Sequence, residues 1–157
     1  MALAGYPIAL LLILVPMLDT VPKMLPASFG SPDWRYGAVG LLFGSIVTPI
    51  IGLTLAGAAA LIARQYRGLM VVSLVFLLLA LVLVVGGVAF LVDFGGISAK
   101  LSERVTPAFH AATVKTAVIA LLAAIASVWL GLGGLKVARE AHVEGSGDRS
   151  AGLVVGH

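Results

Sequence analysis

The side chains that could do chemistry are few: His110, Lys115, and the acids and bases Asp19, Lys23, Arg35, Asp93, Glu103 and Arg104. An imidazole beside carboxylates is a metal-binding set, so His110 with Asp19, Asp93 or Glu103 is one arrangement to weigh. No H-E-x-x-H spacing or other metal-ligand register supports it. A b-type haem held between helices needs two facing axial ligands. The other two histidines, His142 and His157, lie in the C-terminal stretch, which a four-span reading puts on the opposite side from His110. With no cysteine in the chain, thiolate catalysis, Cys-ligated zinc, iron–sulfur clusters and disulfides are all removed. There is also no glycine-rich phosphate loop, no Ser-His-Asp set and no paired carboxylates in a usable register. No cofactor is expected, although lipid, quinone or pigment bound at subunit interfaces is compatible with the sequence.

Lys115 is the ionisable residue nearest the interior of an apolar stretch, and buried charges in such stretches are costly and often functional. It follows Pro107 by 8 residues, about 12 Å of helix. From there a lysine stem can also snorkel to the interface. Asp19 and Lys23 are spaced i,i+4, which allows an ion pair at the end of a helix. A proton or ion relay would instead want an acid near mid-membrane, and none is present. Ser45, Thr48 and Pro49 form an irregularity at membrane depth. Proline removes a backbone donor, so Pro49 should leave the Ser45 carbonyl without its helical partner, with nearby hydroxyls available to satisfy it. Such a break can line a transport path or serve as a packing kink.

These residues sit in a chain of 157 residues that is 61% hydrophobic and only 11% charged, with a mean hydropathy of +1.14. A soluble domain has more than twice that share of charge. The figures exclude a water-soluble globular enzyme, a disordered chain and a nucleic-acid-binding module. The net charge of +3 reads as an orientation signal, because no basic run with interleaved aromatics accompanies it. About 20 apolar residues span a bilayer, so the length holds four spans and a tail.

The expected spans are 3–23, 37–63, 68–92 and 107–136, forming one transmembrane domain over 1–137, with 138–157 as a polar, mobile tail. The first is read as a retained span, since it lacks a basic leader and an A-x-A cleavage site. Pro16 should kink it. Ser31-Pro32 and Thr106-Pro107 look like N-cap plus first-position proline signals, with Asp33 favoured in the first turn. Trp34 and Tyr36 suit the headgroup level. The second span carries Gly40, Gly44, Thr48, Gly52, Ala56 and Ala60 at every fourth position, a small-residue ridge for close helix approach. Ala123, Ser127 and Gly131 form a shorter ridge on the fourth. The third, almost wholly aliphatic, is expected to face lipid most. Between Asp93 and Thr106, the spacing of Ile97, Leu101 and Val105 predicts a short interfacial helix capped by Ser98.

The fold class is therefore an all-α membrane protein, an antiparallel bundle of four transmembrane helices. The acid-free Arg64/Arg67 turn places both termini in the cytoplasm of a bacterial cell. The expected role is a non-catalytic subunit that associates with lipids and with other transmembrane subunits or its own copies, in an electron-transfer or photosynthetic complex. A small self-associating transporter or channel is the alternative, followed by an interfacial lipid or quinone enzyme using His110.

Overall fold

The computed structural model describes residues 2–102 and 105–151. These form five helices: α1 (Ala2–Lys23), α2 (Pro32–Ser45), α3 (Val47–Ile62), α4 (Tyr66–Ser98) and α5 (Thr106–Ala151). By length and composition α1, α4 and α5 can each cross a membrane, and α2 with α3 pass together as a pair bent by 45°. The protein is thus an all-helical membrane protein with three long apolar helices, or four spans if the bent pair counts as one.

The bend belongs to Pro49, but it falls at Ile46. A proline's ring and missing N–H disturb the turn before it, not its own position. Ile46 N–H bonds to the Phe43 carbonyl at 3.5 Å, a tightened turn, before Ile50 N–H resumes the helix on Ile46 O. The Ser45 hydroxyl donates back to the Leu41 and Leu42 carbonyls, both at 3.1 Å, and accepts from Thr20 Oγ1 of α1. Thr48 is exposed and takes no part. Neither hydroxyl therefore plays the expected part at the Ser45 carbonyl: that of Ser45 serves carbonyls of the turn before the break. In α1, Pro7, Pro16 and Pro22 all lie inside one helix.

Other boundaries move for local reasons. Ser31 caps α2, its side chain accepting from Trp34 N–H, with Pro32 at the first position and Asp33 in the first turn. The helix therefore starts five residues before Gly37. Thr106 is already helical, and its hydroxyl donates to the Ser102 carbonyl instead of capping. Asp93 does not end α4, because its charge is paired. The helix continues to Ser98, whose hydroxyl bonds to Gly95 O. Residues 99–102 are turns and bends, so the interfacial helix is not seen there, and Glu103 and Arg104 lie outside the described residues. Helix α5 runs past Lys136, where an i,i+4 pairing of Lys136 with Glu140 supports it, and continues to Ala151, into the stretch expected as a polar tail. Between α3 and α4, Arg64 adopts φ of 52°, while Gln65 N–H bonds to Ala60 O at 2.8 Å. This is a helix-ending turn of the kind that usually takes glycine.

Packing pairs α1 with α3 and α4 with α5 most extensively, and α2 rests on α4 and α5. The main core joins Phe43, Ile46, Leu83, Phe90, Ala120 and Ala124. The prediction that the third span faces lipid most is corrected: α4 is the central helix, with Leu69, Ser73, Phe76, Ala80, Leu83, Phe90 and Asp93 buried along it. Of the three long apolar helices α1 is the most exposed, 11% buried over its apolar window against 28% for α4 and for α5. Aliphatic composition is the same for a lipid-facing and a core-facing surface, so hydropathy could not rank them.

Candidate functional site

The most organised cluster of polar and aromatic side chains lies where the first turns of α2 meet the end of α4 and the start of α5. Arg35 of α2 grips Asp93 of α4 in a two-pronged pair, Nε to Oδ2 at 3.0 Å and Nη2 to Oδ1 at 2.7 Å. Its Nη1 donates to the Phe29 carbonyl at 3.0 Å. This fork geometry is the one arginine offers a carboxylate and lysine cannot. Asp93 is only 6% exposed while Arg35 is 39% exposed. The acid is therefore the buried member and the guanidinium its cover.

Next to Arg35, Tyr36 stacks on Phe90, ring centres 4.3 Å apart, and touches Phe109. Its hydroxyl bonds to Thr113 Oγ1 of α5. The Thr113 proton is already donated to the Phe109 carbonyl, so Tyr36 must be the donor. Trp34 Nε1 donates to Met24 O at 2.8 Å, tying the incoming loop down, and Phe29 meets the Trp34 ring edge-on. Phe94 stacks on Phe109 and leans on His110. The cluster joins three helices and the 24–31 loop with few donors left over: two N–H groups of Arg35, whose charge is already neutralised, and the His110 ring. Chemically it resembles a clasp more than a reaction centre. Replacing Tyr36 with Phe removes one hydrogen bond while keeping the stack. The expected cost is about 1 kcal/mol, read as a small fall in Tm with unchanged helix content.

No family model, curated protein or solved structure matches the chain.

The structure brings only part of the expected polar site together. Arg35 and Asp93 pair. Asp19 and Lys23 form the anticipated i,i+4 pair at 2.6 Å, exposed at the end of α1. His110 is exposed at the rim of the aromatic cluster. Lys115 is exposed, two residues beyond buried Thr113 and so turned well away from the bundle, and it joins none of the ion pairs among the described residues. Among the described residues no three His, Asp or Glu side chains gather as a metal site.

The small-residue ridges divide. In α3, Gly52, Ala56 and Ala60 are buried. A Cβ at Gly52 would lie 2.8 Å from the Ala9 carbonyl of α1, and Gly5 of α1 makes the reciprocal approach to Ala59. In α2, Gly40 faces Phe90 loosely, and Gly44 has open space around it. In α5, Ala123, Ser127 and Gly131 are all buried, with Gly131 set against Leu77 and the Ser73 backbone of α4. Ser127 Oγ is fully buried without a hydrogen-bond partner.

Apolar grooves also lie among the described residues. One, of about 270 Å³, lies among Thr54, Gly57, Ser73, Phe76, Gly133 and Gly134. Another, of about 410 Å³, lies between α4 and α5. Asp19, Lys115 and Pro49 line neither. The sequence reading missed Tyr36–Thr113 and the Arg35–Asp93 pairing. One signal was available, since Thr113 falls on the same helical stripe as Ala120, Ser127 and Gly131, a polar residue on a face otherwise built for close packing.

Proposed function

We propose that the chain is a non-catalytic membrane subunit of four antiparallel spans, α2 and α3 together making the second, with both termini on the cytoplasmic side. In this reading its role is lateral association with other transmembrane helices. The observation that carries it is the outer half of the second-span ridge. Gly44 and Thr48 are exposed, and a Cβ at Gly44 would meet nothing within 4 Å. The inner half of the same ridge is filled by α1. A vacant small-residue face on a membrane helix is where a second helix can approach closely. Further support comes from the clasp, whose charged and hydroxyl groups are bonded to one another and not held ready for a substrate.

Native mass measurement after mild detergent extraction tests the reading. A complex larger than one chain is expected, and Gly44→Leu should weaken it at least tenfold while leaving the monomer's thermal stability intact. A wild-type chain that runs only as a monomer with no co-purifying protein would overturn it, as would a complex indifferent to Gly44→Leu.

A further inference from the structure

Four bases collect at the end of the bundle where α3 turns into α4 and α5 leaves the apolar region. Ala60, Leu69 and Ala138 pack together there, with Tyr6 against them. The Tyr6 hydroxyl donates to Gln65 Oε1 at 2.7 Å, tying the start of α1 to the turn. That contact sets the level of the charges. Arg64 follows Ala60 by four residues, Arg67 precedes Leu69 by two, and Lys136 and Arg139 flank Ala138. All four bases are exposed, and all lie within about 6 Å of the contact along the helix axes. Among the described residues the acid at this level is Glu140. Its pairing with Lys136, at 4.0 Å, joins two exposed side chains, and such a pair neutralises little. Glu144 and Asp148 stand about 8 and about 14 Å beyond Arg139 along α5.

The opposite end uses its charges differently, binding Lys23 to Asp19 and Arg35 to Asp93. At the Arg64 end the positive charge is turned outward and left unmatched by acids of its own level. Arg64 holds its place at φ of 52°, so a guanidinium stands where backbone preference alone favours glycine. What lies beside the bases selects their occupant. On α4, exposed Met70 and Val71 follow Arg67 by one turn on the same face, and on α5 exposed Leu132 precedes Lys136 by one turn. Exposed Ile62 comes two residues before Arg64. Each base thus caps a column of bare apolar side chains, and the exposed ring of Tyr66 stands between the two arginines. A free anion or an acidic protein segment matches the charge and leaves the columns uncovered. A molecule with a negative head and a hydrocarbon tail matches both.

We propose that the Arg64 end of the bundle binds anionic phospholipids of the leaflet it faces, their phosphates held by Arg64, Arg67, Lys136 and Arg139 and their acyl chains lying along Met70, Val71 and Leu132. The guanidinium forks donate to phosphate oxygens in pairs, and the lysine adds a point charge. Basic residues that adjoin membrane-crossing helices at the headgroup level attract anionic lipids in this way. The proposal rests on α4 and α5 crossing a bilayer. It is independent of which side the termini occupy and of any protein partner at the Gly44 face of α2.

The test uses the full-length protein in nanodiscs of phosphatidylcholine and phosphatidylglycerol, in equal amounts and with matched acyl chains. Lipids kept on the protein after mild detergent release are counted by native mass spectrometry. One basic residue near an anionic surface is worth roughly fivefold in binding, so phosphatidylglycerol should be retained over phosphatidylcholine by well over about tenfold. Arg64→Gln with Arg67→Gln should lower that ratio about tenfold or more. Tm should not fall, since both side chains are exposed and glutamine asks no more of the backbone than arginine does. Lys100→Gln with Lys115→Gln, at the other end of the bundle, should leave the ratio unchanged, as should Gly44→Leu and an excess of inorganic phosphate. Equal retention of the two lipids would overturn the proposal, as would a ratio indifferent to loss of the two arginines. An equal fall in the lysine variant would overturn the placement of the site. Displacement by inorganic phosphate, or an acidic protein that co-purifies and is lost with the arginines, would overturn the lipid as occupant.

Discussion

Replacing Arg35 with Met should lower stability by about 2–4 kcal/mol, and adding Asp93→Leu to the same chain should restore most of the loss. Breaking a fully buried ion pair by removing one partner costs about 3–5 kcal/mol, because the remaining charge is left without compensation. The guanidinium here is 39% exposed, so the effect is set somewhat lower. The asymmetry between partners is itself a prediction. Removing Arg35 strands a carboxylate that is 6% exposed, whereas Asp93→Asn strands a cation that can reach its surroundings. Arg35→Met should therefore be the more damaging change. Replacing both members with apolar residues removes the desolvation cost along with the attraction, and such swaps are often neutral or stabilising. Thermal unfolding in mild detergent reads all four chains, with a fall of about 5–10 °C expected for Arg35→Met. A double variant no better than the single one would show that Arg35 acts through its Phe29 carbonyl bond or its stem, not through the pair.

That pair also shows where sequence reading reached and where it stopped. Both residues were singled out, because charges in so apolar a chain stand out. Their partnership was not, because 58 positions separate them and nothing local links an arginine in one helix's first turn to an acid in the last turns of another. An acid at the end of an apolar run reads as the first residue of a loop for the same reason. A charge ends an apolar run in sequence, but it need not end a helix once a partner from elsewhere neutralises it. Signals confined to a few residues were legible: the Ser31-Pro32 start, a short turn at Arg64 (with Arg67 already in α4), the Asp19–Lys23 pair and the break near Pro49. The ordering of helices by exposure was not legible. Valine and leucine suit a lipid-facing wall and a core equally, and only the positions of Ser73, Ala80 and Gly131 reveal that α4 and α5 pack closely.

The same ridge yields the sharpest contrast between positions that look alike. Gly44 and Gly52 are two steps apart in one small-residue register, yet Gly52→Leu should be severely destabilising and Gly44→Leu should not. At Gly52 even a Cβ would stand 2.8 Å from the Ala9 carbonyl oxygen and 3.0 Å from Leu12 Cβ and Ile13 Cγ1. The first of these atoms is backbone, so relief requires α1 as a whole to move away from α3. Overpacking a close-fitted site costs about 1–3 kcal/mol, and four added carbons at a backbone contact put Gly52→Leu at or above the top of that range. The bend at Ile46 explains the difference, because it turns the α2 half of the ridge away from the face that α3 presents to α1. The chain has no cysteine, so a Gly5→Cys/Ala59→Cys pair would carry its only thiols. The two Cβ positions lie 3.1 Å apart, close to the range a disulfide needs. In the parent chain this pair should oxidise readily and lock α1 to α3. With Gly52→Leu added, cross-linking should fall severalfold and Tm should drop, while with Gly44→Leu both should stay at parent values. Efficient cross-linking in the Gly52→Leu chain would mean that α1 does not rest on that glycine.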